Sequence, residues 1–290
     1  MKFSVIVPTY NRISSLKRTL ASVLRQTYPA AEIIVVNDGS TDETDSWLSQ
    51  LASEQKIKYV KQENNGPAAA RNTGLAKASA EYIAFTDDDC VVPDDWLKRL
   101  SEAFEQSVAD IIGGVAKNCI ERNIYSELSQ EMTNHFINTM ARNNSRSSFL
   151  TSNNIAYRSA AIAGAGGFDE RFRRAGGEER AVNWKIIVQG GKSSLRPDIV
   201  IEHYHRLGLR SFLRQHRDYG RGAYILNRVI APELNVDSPM LPLSVYGSLI
   251  VSFFRKSPLR GMAKLFLFCS AQVMAAAGFF SEMISGNHAR

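Results

Sequence analysis

The chain reads as an α/β protein: a Rossmann-like, mostly parallel mixed sheet flanked by helices, with a helical extension at the C-terminus. Three observations predict this. Brief apolar runs rich in β-branched residues recur through the first third, helix-period segments separate them, and turn residues mark each changeover. The runs are residues 3–7, 33–36, 57–60 and 82–85, each too short for a helix and so expected as a buried strand. Leu16, Leu20, Val23 and Leu24 fall at helical spacing across the first connection. Ser40 and Glu43 have capping-box spacing before Trp47, Leu48 and Leu51 in the second. Pro67, after Gly66, suits the first turn of a third helix. Strand and helix thus alternate three times, which favours parallel pairing with helices on the sheet's faces.

Further along, Pro93 is a candidate first residue for a helix carrying Trp96, Leu97, Leu100 and Phe104. The helical spacing of Trp47 and Trp96 assigns both to the core. Residues 111–115 read as another strand, whose Gly113 and Gly114 permit close approach of a ligand or another backbone and suit an acceptor channel. Residues 119–146 are polar and helical in tendency, and residues 164–177 form a glycine-rich basic loop expected to be mobile. A short helix with Trp184, Ile187 and Val188 follows, then a last strand at 199–201 that ends in Glu202-His203-Tyr204-His205.

With 290 residues and 44% hydrophobic content the chain can bury a full core, which argues against disorder. Cys90, Cys119 and Cys269 are odd in number and unpaired in spacing, so neither a disulfide framework nor a zinc knuckle is suggested. The opening apolar stretch is too short for a secretory signal, and cytoplasmic folding is expected. A formal charge of +6 admits an anionic partner. Nucleotide diphosphate and phospholipid fit the local placement of that charge, and no nucleic-acid partner is expected.

Asp87, Asp88 and Asp89 follow an apolar strand and precede a helix. Such a triplet is often only a solvated N-cap cluster. Its position decides otherwise, because ligands of open α/β sheets bind outside the carboxyl ends of strands, where the loops at residues 8–11 and 36–39 should also converge. Moving a sugar from a nucleoside diphosphate requires neutralising two phosphates as the glycosidic bond breaks. Mg²⁺ or Mn²⁺, held by one or two carboxylates such as Asp87 and Asp89 plus the phosphates themselves, would do this. Inversion at the anomeric carbon needs a carboxylate on the opposite face as general base, and Glu179 is the candidate.

Val5-Ile6-Val7-Pro8-Thr9-Tyr10-Asn11-Arg12, Gln26-Thr27-Tyr28-Pro29 and the run from Glu32 through Asn37-Asp38-Gly39-Ser40 to Asp42 resemble the entrance of the family 2 glycosyltransferases, whose fold is the GT-A type. Asn64-Asn65-Gly66-Pro67 with Ala70-Arg71-Asn72, Phe85-Thr86-Asp87-Asp88-Asp89, Gly166-Gly167-Phe168-Asp169-Glu170 and Gly176-Gly177-Glu178-Glu179 continue the likeness, which covers roughly residues 3–205. The resemblance implies that Pro8, Thr9, Tyr10 and Arg12 surround the nucleotide base, that Asp38 bonds the base edge, and that Arg71 and Asp88 lie near the nucleotide. It implies Asp87 at the ribose or metal, Asp89 and His203 at the metal, Glu179 as base, and Glu178 on the acceptor side; Trp184, beside that base, is open between core packing and an acceptor-side face for a sugar ring. A UDP-sugar leads as donor. Two residues depart from the pattern: Asn37 stands where Asp is common, and Glu179 where Asp is usual. His205 is an alternative to His203.

Arg206, Arg210, Arg214, Arg217 and Arg221 would form one stripe on a helix and call for an anionic contact such as a membrane surface or a lipid diphosphate. Two uncharged runs, 241–254 and 265–280, are each short of a bilayer span and are expected as two short interfacial helices. The expected organisation is a nucleotide-sugar half at 1–115, an acceptor half at 116–205, and a basic helix with an apolar tail at 206–290, which would hold the enzyme at the cytoplasmic face of a membrane. The expected activity is inverting, metal-dependent transfer of a sugar to a glycan or lipid-linked acceptor. The alternatives are a nucleotidyltransferase, which would want a glycine- and lysine-rich first loop, and an inactive glycan- or membrane-binding scaffold.

Overall fold

The computed structural model describes residues 1–142, 149–236, 243–255 and 257–285. In chain order the first elements are β1 (Phe3–Thr9), α1 (Ile13–Leu24), β2 (Glu32–Asp38), α2 (Thr44–Ser53), β3 (Lys58–Gln62), α3 (Pro67–Lys77) and β4 (Tyr82–Phe85). They are followed by β5 (Cys90–Val91), α4 (Trp96–Glu105), β6 (Ile111–Asn118), α5 (Ile124–Arg142), β7 (Ile155–Arg158), α6 (Ser159–Gly164), α7 (Glu178–Val188) and β8 (Ser193–His203). α8 (Leu209–Tyr224) runs through a π-helical stretch, Ile225–Ile230, into the short α9 (Ala231–Glu233), and α10 (Leu243–Phe253) and α11 (Pro258–Ser285) form the tail.

The described strands make one mixed sheet in the order β3-β2-β1-β4-β7-β6-β8-β5. β1 pairs in parallel with β2 and β4, β2 with β3, and β6 with β8. β7 is antiparallel to both its neighbours, and β5 to β8. Side chains alternate across a strand, so a strand covered on both faces reads as an unbroken apolar run. Val5 and Val7 accordingly enter one core with Leu16 and Leu20 of α1 and Trp96 and Leu100 of α4. Ile6 enters the other with Ala70 of α3 and Val182 of α7.

Several local expectations are corrected. Ser40 and Glu43 form no capping box: Ser40 Oγ instead accepts from the Asn11 amide, and the Asp42 carboxylate accepts from the Thr44 amide at the start of α2. Pro93 lies before α4 rather than at its first position, its carbonyl accepting from Trp96. β7 has no counterpart among the expected strands; it is short and bordered by polar residues. β8 runs from Ser193 to His203, well beyond residues 199–201, and its Arg196-Pro197-Asp198 segment is out of register with β6, where proline has no amide to give. The tail contains one long helix, α11, in place of a second short one. The expectations for residues 143–146 and 241–242 lie outside the described residues.

Gly113 and Gly114 serve packing, not an acceptor channel. A Cβ on Gly114 would lie 2.2 Å from Asn154 Nδ2 and 2.3 Å from the Ile199 carbonyl, and one on Gly113 would lie 2.6 Å from the Leu150 side chain. Asn154 thereby reaches the carbonyls of Val115 and Ile199 and accepts from the Trp96 indole. Gly114→Ala should lower stability by about 1–3 kcal/mol in denaturant titration, since backbone must move. Gly247→Ala, where nothing lies within 4 Å of the new methyl, should be neutral or raise stability by up to about 1 kcal/mol. Equal effects of the two would contradict this packing account.

Candidate active site

Three loops at the carboxyl ends of β1, β2 and β4 meet. After β1 the chain turns sharply at Asn11, a non-glycine residue at φ 52°, whose side-chain oxygen accepts from the Thr41 amide at 2.7 Å. The turn leaves the Tyr10 ring exposed and sends Arg12 across to the acidic loop. There Asp87 to Cys90 form a tight turn closed by the Cys90 amide on the Asp87 carbonyl, a geometry that aspartates favour. The three carboxylates therefore fan out to different partners. Asp87 stays at the rim and accepts from Arg71 Nη2 at 2.9 Å. Asp88 turns inward, to the Thr9 hydroxyl at 2.7 Å and Arg12 Nη1 at 3.1 Å. Asp89 accepts from the same Arg12 nitrogen at 2.9 Å and lies 3.3 Å from His203 Nε2.

β5 pairs Cys90 directly with His203 of β8, which is what brings that histidine to the turn. The opposite ring nitrogen, Nδ1, donates to Gln130 Oε1 of α5 at 2.8 Å. With Nδ1 protonated, Nε2 donates to Asp89 when the ring is the imidazolium, and loss of that proton would free its lone pair for a metal. Burial opposes the imidazolium, but the hydrogen bond and charge of Asp89 outweigh it and raise the His203 pKa. Burial alone would raise the Asp89 pKa too; His203 and Arg12 hold it well below the carboxylate range. Asp88 goes the other way, lifted by burial and by repulsion from Asp89 and Asp87. His205 stacks on His203 with ring centroids 5.2 Å apart and is kept neutral by burial, its pKa pushed down to about 4.

Asp89, Cys90 and His203 bring one ligand atom each within 4.8 Å of the others. The Cys90 thiol is fully buried and its pKa is driven far up by that burial, so it is not an anionic ligand. A carboxylate and an imidazole remain, a donor set that suits Mn²⁺ or Mg²⁺ when phosphate oxygens and water complete the shell. Beside them a cleft of about 560 Å³ is lined by Arg12, Arg18, Tyr204, His205 and Arg206 as well as Asp89. Three guanidinium groups at one opening suit an anionic ligand.

Arg71 of α3 is nearly fully buried and joins two sides of the crevice. Its Nη1 donates to Glu178 at the start of α7 at 2.9 Å while Nη2 holds Asp87, and its guanidinium lies 5.6 Å from the Phe168 ring centre. Burial works against its charge, but Asp87 and Glu178 raise the pKa further still. The other Glu178 oxygen accepts from the Gly176 amide, so this residue ties the glycine loop to Arg71 and does not face an acceptor. Glu179, next along, is half-buried, and its pKa is driven well up by desolvation and then by the Glu178 charge.

Other expected residues lie elsewhere. Asp38 turns both oxygens onto the loop after β3, accepting from Gln62, Asn65 and Gly66, and so shapes that loop. Asn37 donates to the Tyr59 hydroxyl and accepts from the Ser40 amide, a role that an Asp could fill only in part. Pro8 sits half-buried at the end of β1. Trp184 packs in a core with Phe172, Ile225 and Leu226, with Arg180 over its ring, leaving no face for a sugar. Sequence reasoning missed Gln130 and also Tyr219 of α8, whose hydroxyl accepts from Gln215 and whose pKa is raised by burial and by the nearby Glu179 and Glu178. Gln130 had no signal beyond the helical tendency of its segment.

Known proteins share this architecture. The mannosyltransferase PcManGT from Pyrobaculum calidifontis, solved with GDP-Man and Mn²⁺, superposes with a TM-score of 0.68 at 18% identity, over 99% of this chain and 88% of that one. S. aureus TarS 1-349 in complex with UDP-GlcNAc superposes at 0.58 with 21% identity, over 100% and 93%. The fold is thus the GT-A type of glycosyltransferases. In sequence, the pre-mycofactocin glycosyltransferase of Mycobacterium tuberculosis is 27% identical over 90% of this chain and 54% of its own length. Glycosyltransferase GlyA of Streptococcus pneumoniae is 41% identical over 39% of this chain and 16% of its own length. The chain thus spans about half or less of these curated relatives. The model of Glycosyl transferase family 2 matches residues 4–164, more than half of the chain, which therefore belongs to that family of glycosyltransferases.

Proposed function

We propose that the chain is an inverting, metal-dependent transferase that takes a sugar from a nucleotide-sugar, UDP-linked by preference, and passes it to a glycan or lipid-linked acceptor. The observation that carries this reading is the double engagement of Arg71. One buried guanidinium fixes the acidic turn and the start of α7 relative to each other, and so holds Asp87 and Asp89 in one site with Glu179. Asp89 and His203 would hold Mg²⁺ or Mn²⁺, with Asp87 at the rim beside them. A bound divalent ion supplies neutralising charge to the departing diphosphate.

The protein's own groups have separate tasks. Tyr10, exposed beside Thr9 and Pro8, offers an aromatic face to the base, while Asp38 supports that pocket through the loop it holds. Arg12, Arg18 and Arg206 offer positive charge to phosphates in the cleft. Glu179 takes the acceptor proton. Its raised pKa gives it stronger basicity than an exposed glutamate, at the cost of needing a higher pH to ionise. A nucleotidyltransferase is disfavoured because the loop after β1, Pro8-Thr9-Tyr10-Asn11, is not the glycine- and lysine-rich loop that activity would want.

Asp89→Asn should abolish Mn²⁺-dependent UDP binding in calorimetry. Glu179→Gln should bind UDP-sugar normally and lose about 10²–10⁴-fold in transfer rate; normal transfer by this variant would remove the base assignment. The acid limb of the wild-type kcat profile should lie above the usual glutamate pKa of about 4.3, because activity requires ionised Glu179 and burial lifts its pKa. A limb at or below that value would contradict the buried base. Glu178→Gln should destabilise the fold by about 3–5 kcal/mol, since it strips a buried Arg71 of one counter-charge. Arg71→Met combined with Glu178→Leu should cost less than the two single changes added together, as thermal melts would reveal.

A further inference from the structure

α11 is 28 residues long, about 42 Å at the helical rise, and its two sides differ. One side packs lengthwise on α8 with backbones in contact. A Cβ on Gly220 would lie 1.8 Å from the Ala275 carbonyl, and one on Gly278 would lie 1.9 Å from that of Arg217. The other side presents Leu259, Met262, Phe266, Val273, Phe280 and Ile284, between 55% and 83% exposed and spaced as a single helical stripe. Beyond Arg260 the only charged residues of α11 are Lys264 and Glu282, and neither interrupts the stripe. Lys264 is buried between Glu127 and Glu131 of α5, and Glu282 lies beside Arg221 of α8. A contiguous exposed apolar surface of this kind marks an interaction site.

Alongside, α8 exposes Arg210, Arg214 and Arg217, none with an acidic partner among the described residues. Arg217 borders the α11 contact, and the other two lie on the same face of α8. By length and hydropathy α11 could cross a bilayer. Its lengthwise seat on α8 and its buried Lys264 cluster keep it against the protein instead. An isologous pair of chains would bring two arginine rows together, whereas an anionic bilayer satisfies both the apolar stripe and the charges.

We propose that the outer face of α11 and the adjoining arginines of α8 form a docking surface for an anionic phospholipid bilayer, with α11 lying in the plane of the interface. This surface is independent of the reading of the crevice. The test is flotation of the full chain with phosphatidylcholine vesicles, with and without phosphatidylglycerol. The chain should float with the anionic vesicles and bind the neutral ones, or the anionic ones in high salt, at least about tenfold more weakly. Phe266→Asp with Phe280→Asp should weaken flotation about a hundredfold, with melting temperature and UDP binding unchanged. Arg210→Gln with Arg214→Gln should weaken binding to anionic vesicles roughly tenfold and leave neutral vesicles unaffected. Absence of flotation, or equal recovery with both vesicle types, would overturn the proposal. So would a solution dimer that the double Phe→Asp variant breaks, which would assign the stripe to a second copy.

Discussion

The site depends on Arg71. A guanidinium at this depth gives up much of its hydration, and only paired, hydrogen-bonded carboxylates can offset that loss. Asp87 and Glu178 do so from opposite sides of the crevice and are separated by ninety-one positions in sequence, so one cation fixes two otherwise independent loops. The same engagement governs the neighbours. With its charge already shared by Asp87 and Glu178, Arg71 relieves Glu179 only weakly, and desolvation prevails in lifting that carboxyl. On the other flank Arg12 is divided between Asp88 and Asp89, and the Asp88 carboxyl is likewise lifted. Acids thus outnumber cations around the turn, an imbalance that favours a positively charged ligand.

The tail bears on the crevice through backbone contact. Gly220 and Gly278 let α11 press onto α8, and Gly222 lets α8 approach Gly176, since a Cβ there would lie 1.6 Å from the Gly176 carbonyl. Gly176 is the residue whose amide Glu178 accepts, and the next two residues open α7. A continuous line of packed backbone therefore runs from α11 through α8 to the helix end that presents Glu179. Along that line α8 also delivers Tyr219 to the acidic groups. The tail acts on the reaction site as a buttress, whatever its outer face touches.

This division explains what the sequence disclosed. Strands such as residues 3–7 and helices such as that through Leu16 and Leu20 are written in local periodicity, and their alternation implies parallel pairing because connections of that length must cross over. The interior strand β7 carries no such signal: four residues long, it is held by pairing with β4 and β6 from distant parts of the chain. The acidic turn was legible as a place, because it follows a strand end, but not as a set of roles. Asp87, Asp88 and Asp89 are chemically identical and adjacent, and only the turn geometry sends one to Arg71, one to Thr9 and one to His203.

Glu178 and Glu179 make the same point more sharply. The sequence offers two equivalent carboxylates at a helix start, where the dipole favours both charges. Packing breaks the equivalence: Glu178 finds Arg71 and the Gly176 amide, while Glu179 has no comparable partner among the described residues and bears the repulsion of its neighbour. A carboxylate whose two oxygens are both held by fixed donors is not placed to take a proton from a substrate. Glu179, its carboxyl lifted by desolvation and by the Glu178 charge, is left as the carboxylate available for the proposed proton-accepting role.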